Sequence, residues 1–89
     1  MIIEQTSFER DLDKILAETT KEGLWIHGHW TVAIPREDAI SYVQNFGNQT
    51  QNGFYKHEGR VILSHGSAKL TLTEQEADAV VALVETSFM

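Results

Sequence analysis

Apolar residues recur along this chain with two different spacings. Over residues 24–34 every second position is large and apolar: Leu24, Ile26, Trp30, Val32 and Ile34, with Gly28 in the same series. The intervening Trp25, His27, His29, Thr31 and Ala33 are mixed. Side chains alternate faces along a strand, so this pattern predicts one long β-strand over 24–34 with a single buried face. Pro35 ends it. Arg36-Glu37-Asp38 then opens a helix whose acidic first turn suits the positive end of the helix dipole.

Helical spacing governs three other stretches. Phe8, Leu12, Ile15, Leu16 and Thr19 predict an amphipathic helix over 7–21, capped by Ser7 and closed at Gly23. Ala39, Ile40, Val43 and Phe46 give the second helix its inward stripe over 36–46. Residues 73–76 read Thr-Glu-Gln-Glu, a capping box, and start a last helix burying Ala77, Val80, Val81, Val84 and Phe88. Between these helices, residues 47–53 are polar and bracketed by glycines, which predicts a loop. Residues 54–72 predict three short strands, 54–56, 60–64 and 68–72, joined by turns at 57–59 and 65–67.

The expected order is α-β-α-β-β-β-α. It implies a single α+β domain over 1–89, with a small, mainly antiparallel sheet covered on one face by helices. One internal echo accompanies it. Residues 32–39 and 70–77, offset by 38, both run from alternating strand through a helix-start residue to acids and an alanine. Any strand-to-helix junction selects such residues, and two copies do not establish a solenoid.

Composition narrows the function classes. At 89 residues and 42% hydrophobic, the chain carries one modest core. It has no cysteine, so it holds neither a disulfide framework nor a thiolate site, which fits a reducing, cytoplasmic setting. The first residues lack the basic and apolar regions of a signal peptide, and no apolar run reaches membrane-helix length. The net charge of −6 is unevenly spread: −3 over 1–22, −1 over 23–50, +2 over 51–72 and −4 over 73–89. Nucleic acid is therefore a poor expectation for a direct ligand, because phosphates demand local Lys and Arg.

Few residues suggest chemistry. His27 and His29, two apart on the expected strand, would share a face and could chelate a metal, with His57 and His65 in nearby turns. No cysteine or neighbouring carboxylate completes a known ligand spacing, so the pair reads first as two surface histidines beside Trp25 and Trp30. Ser64, His65 and Ser67 are turn residues rather than a triad, and Glu37-Asp38 are helix-start acids. No catalytic residue, metal site or cofactor is expected.

Two surfaces remain as partner sites. The first is acidic and lies on the expected terminal helices: Asp11, Asp13 and Glu18, then Glu74, Asp78 and Glu85. It would meet a partner protein with a basic surface, and charge would steer the encounter. The second is the outer face of the expected sheet: Trp25, His27, His29, Tyr55, Arg60, Ile62 and Lys69. Aromatic, arginine and histidine groups are what contact surfaces favour, and Trp25 with Ile62 could instead close a homodimer.

No motif resembles a family closely enough to name. A short acidic chain without catalytic groups is of the kind seen among phage and mobile-element accessory proteins, an analogy of class only. The leading expectation is a small acidic protein-interaction module. Such a module would be an inhibitor of a nucleic-acid-handling partner, antitoxin-like or anti-CRISPR-like, that occludes a basic surface. A His-dependent metal protein or enzyme is the first alternative. A single-stranded nucleic-acid module using Trp25, Tyr55, Arg60 and Lys69 is the second.

Overall fold

The structure is a computed structural model, and it describes residues 1–9, 14–28, 31–46 and 52–89. Among the described residues seven strands and two helices follow one another: β1 (Ile2–Glu9), β2 (Lys14–Thr20), β3 (Gly23–His27), β4 (Thr31–Pro35), α1 (Arg36–Gln44), β5 (Gly53–His57), β6 (Arg60–His65), β7 (Ala68–Leu72) and α2 (Glu74–Phe88). They form two antiparallel sheets, ordered β1-β2-β3-β4 and β5-β6-β7, where one sheet was expected. The α+β class holds, and the element order changes in its first half.

The helix expected over 7–21 is a β-hairpin. Phe8 stands opposite Ile15, Thr6 opposite Ala17 and Glu4 opposite Thr19. Ile15, Ala17 and Thr19 are buried at alternate positions of β2, the period of a strand. A helix would have buried one stripe and left β3 without its neighbour. β2 instead pairs on both sides, with β1 and with β3. Asp11 and Asp13 lie outside the described residues, and Glu18 sits on a strand rather than on an acidic helix.

The long strand expected over 24–34 folds back on itself. Leu24 pairs with Ile34 and Ile26 with Val32, so β3 and β4 are the two arms of a hairpin. The even positions still face inward on both arms, as the alternation required. Trp30 and His29 lie outside the described residues, as does most of the loop expected over 47–53.

From residue 36 onward the structure follows the expectation closely. α1 buries Ala39, Tyr42 and Val43. The three strands of the second sheet pair with two-residue turns at 58–59 and 66–67. Gly59 and Gly66 have positive φ there, which tight turns of this length require. Thr73 caps α2 with the full capping box: its hydroxyl accepts from the Glu76 N–H at 3.1 Å, and the Thr73 N–H donates to Glu76 Oε1 at 2.9 Å. Ala77, Val80, Leu83 and Val84 are buried on α2.

One core serves both sheets. α1 packs on β3 and β4 of the first sheet and crosses to β5 of the second, while α2 packs on β6 and β7 and crosses to β2 and β1. The helices also pack on each other, with the Arg36 guanidinium 5.4 Å from the centre of the Phe88 ring. Among the described residues no helix is long and apolar enough to cross a membrane.

Candidate functional site

The residues expected on one sheet face are divided between two sheets. Trp25, His27 and Thr31 lie on the outer face of the four-stranded sheet. Tyr55, Arg60, Ile62 and Lys69 lie on the outer face of the three-stranded one. The tryptophan and isoleucine expected to close a dimer together, Trp25 and Ile62, therefore lie on different sheets.

The outer face of the four-stranded sheet is the better built. Cross-strand pairing sets Glu18 opposite Trp25 and Trp25 opposite Ala33, and it sets Leu16 opposite His27 and His27 opposite Thr31. Directly opposed side chains lie close enough to bond or pack. His27 Nε2 lies 2.8 Å from Glu18 Oε1, and His27 Nδ1 lies 3.1 Å from Thr31 Oγ1. A carboxylate only accepts, so Nε2 carries the proton; in the neutral ring Nδ1 then accepts from the Thr31 hydroxyl. Both ring nitrogens are occupied, which leaves His27 no lone pair to offer a metal in this arrangement.

A second network anchors the tryptophan. The Thr20 hydroxyl donates to Glu22 Oε2 at 2.9 Å and accepts from the Glu22 N–H and from Trp25 Nε1, each at 3.2 Å. Its one donor and two acceptor sites are all used. The bond from Thr20, aided by Glu22's own backbone N–H, holds the Glu22 carboxyl below its ordinary range. Beside the indole lies a shallow depression of about 200 Å³, lined by Glu22, Gly23, Trp25, Ala33, Ile34 and Pro35. Pockets that engulf small molecules run from about 300 Å³ upward, so this one suits a side chain of a macromolecule better than a substrate.

The other expected chemistry separates. His57 and His65 belong to the three-stranded sheet, away from His27 in the pairing. His65 Nδ1 is 2.8 Å from the Tyr42 hydroxyl, a bond that ties α1 to β6. Ser64 and His65 are successive strand residues and point to opposite faces, so they cannot act as a pair. Among the described residues no three His, Cys, Asp or Glu side chains gather into a group that could hold a metal ion. On α2, Glu74, Asp78 and Glu85 are exposed, with Glu74 Oε1 3.5 Å from Lys56 Nζ.

Sequence reasoning missed Tyr42 and Thr20, and it placed Glu18 on an acidic helix rather than beside His27. Tyr42 lies off the stripe expected for α1, yet it is buried; burial, followed by the nearby Asp38 charge, pushes its hydroxyl pKa up. On the helix expected over 7–21, neither Thr20 nor Glu18 would sit beside Trp25 or His27; on β2 both do. A two-residue turn at Lys21-Glu22 would have signalled them, because it pairs Thr20 with Gly23 and so sets Glu18 against Trp25. No family model matches the chain, no curated protein matches it, and no solved structure matches it.

Proposed function

We propose that this protein is a small protein-interaction module whose contact surface is the outer face of the four-stranded sheet. The observation that carries the reading is Trp25: a half-buried indole, held by Thr20, on rigid paired strands and flanked by the His27–Glu18 pair. Tryptophans dominate interface energetics, and a side chain already fixed before binding loses little entropy on docking. The acidic stripe of α2, Glu74, Asp78 and Glu85, supplies the long-range field. With a net charge of −6 it favours a partner with a basic surface, such as a protein that handles nucleic acid, which the module would occlude.

The test compares three proteins as bait in a lysate of the source organism, followed by rate measurements on whatever is retained. Trp25→Ala should raise the dissociation rate and cost roughly 2 kcal/mol or more in affinity. A triple reversal of Glu74, Asp78 and Glu85 to Lys should slow association and flatten its salt dependence while changing dissociation less. A partner bound equally well by Trp25→Ala would remove the sheet face from consideration. Single-stranded oligonucleotides that quench Trp25 at low salt would favour the nucleic-acid reading instead.

A further inference from the structure

We infer that two copies of this chain join edge to edge through β1, making one continuous eight-stranded sheet. Among the described residues the two sheets have four edge strands with no further strand paired to them: β1, β4, β5 and β7. Open edges invite pairing with another chain, and proteins blunt them with lysine, proline or short length. β4 has five residues and ends in Pro35, β5 has five and carries Lys56, and β7 has five and carries Lys69. β1 has eight residues and neither lysine nor proline. A register shift near Ile3 disturbs only its first residues; from Glu4 to Glu9 the pairing with β2 is regular.

The apolar surface gathers at the same place. Among the described residues the exposed large apolar side chains are Met1, Ile2, Ile3 and Met89. Ile2 and Ile3 begin β1, and Met1 directly precedes it. The fourth, Met89, directly follows α2, whose last turn is tied to the first sheet by a 2.5 Å contact between Ser87 Oγ and Thr19 Oγ1. Thr19 Oγ1 in turn donates to the Glu4 carbonyl at 3.3 Å. Met1 and Ile3 also border a mostly apolar hollow of about 340 Å³ with Lys21. Clustered exposed side chains of this size mark an interaction site more often than scattered ones do.

The strand is compatible with its own copy. Opposed residues in an antiparallel pair must share the same bonding class, so a strand pairs with itself only about a two-fold through one residue. Through Gln5, each Glu4 faces the second copy's Thr6, Ile3 faces its Ser7 and Ile2 faces its Phe8. No two glutamates are opposed. The same two-fold stands perpendicular to the sheet, so both Trp25 surfaces look the same way and the proposed partner face is doubled.

The test is the oligomeric state of the full chain by sedimentation, up to a few hundred micromolar, roughly the range in which a single strand pair can hold. The wild type should be a dimer. Gln5→Lys and Gln5→Glu each place like charges opposite one another and should weaken the dimer about fivefold. An equimolar mixture of the two should recover it as a heterodimer. Ile2→Lys with Ile3→Lys should weaken it more. Circular dichroism confirms that each variant is folded. A wild type that stays monomeric, or a dimer indifferent to folded Gln5 variants, overturns the inference. So does a dimer that dissociates on Trp25→Ala alone.

Discussion

β2-β3-β4-α1 and β5-β6-β7-α2 are the same succession written twice. Each is a three-stranded antiparallel meander running directly into a helix. Each helix covers the last two strands of its own meander and crosses to the first strand of the other. Equivalent residues lie 38 apart: His27 and His65 end matching strands, Pro35 and Thr73 precede the helices, and Ala39 and Ala77 are both buried. The 38-residue echo in the sequence thus has a counterpart in three dimensions, and the halves differ in how their helices begin. α2 has a side-chain capping box. Pro35 makes no side-chain cap, and the Arg36 N–H instead donates to the Glu22 carbonyl at 3.0 Å, so the β2–β3 turn closes the start of α1. The same job is done locally in one half and by tertiary contact in the other.

The largest expected effect tests whether the halves stand alone. Val84 on α2 is fully buried, and an unpaired charge there is strongly unfavourable. Because α2 covers both sheets, Val84→Asp should abolish cooperative folding altogether. Tryptophan fluorescence checks this, since both tryptophans, Trp25 and Trp30, belong to the first half. A native indole spectrum in that variant would show that the first half folds independently.

Gly23 should come next. A Cβ added there would stand 2.1 Å from the Ile34 carbonyl oxygen and 2.9 Å from the Arg36 nitrogen, both backbone atoms that cannot step aside. Gly23→Ala should cost about 3 kcal/mol or more in chemical denaturation. Gly59, in the matching turn of the second half, has open space around the added carbon and only its positive φ to strain. Gly59→Ala should cost about 1–2 kcal/mol. Equal losses would mean that the β2–β3 turn does not clamp α1.

Thr73→Ala removes the local cap and should cost about 1 kcal/mol, whereas Thr73→Ser, which keeps the hydroxyl, should cost much less. An unchanged denaturation midpoint in the alanine variant would refute the role of the box.

The smallest effect is electrostatic. Glu22 has a carboxyl pKa depressed in the folded state, so its contribution is present above the ordinary glutamate range and is lost as pH falls through the lower folded value. Thr20→Val deletes the bond chiefly responsible. The stability gap between wild type and this variant should therefore narrow between about pH 6 and about pH 3. Tyr42 works in the opposite sense. Its raised value means a contribution present at neutral pH and lost as pH rises through the alkaline range, which Tyr42→Phe should not show.

Where local chemistry was decisive, the sequence could be read directly. The Thr73 box, the α2 stripe and the turns at 58–59 and 66–67 all rest on residues within a few positions of one another. So does the strand-to-helix junction at Pro35. The outer-face positions of Trp25, His27, Tyr55, Arg60, Ile62 and Lys69 were legible because alternation alone assigns them, but their division between two sheets was not. Connection length explains the two failures in the first half. A two-residue turn switches the inward parity, from odd positions on β6 to even positions on β7, and that switch is visible in sequence. The link from His27 to Thr31 has three residues, so even positions face inward on both arms and one hairpin looks like one strand. In β1–β2 the link has four residues, and Phe8 on one parity with Ile15 on the other mimics a helical stripe. Hydrophobic period reports which side chains are buried; it does not report which backbone they are paired with. That choice was made by the tertiary structure, in which β2 gains partners on both sides and the first sheet is covered by helices that the chain supplies only later.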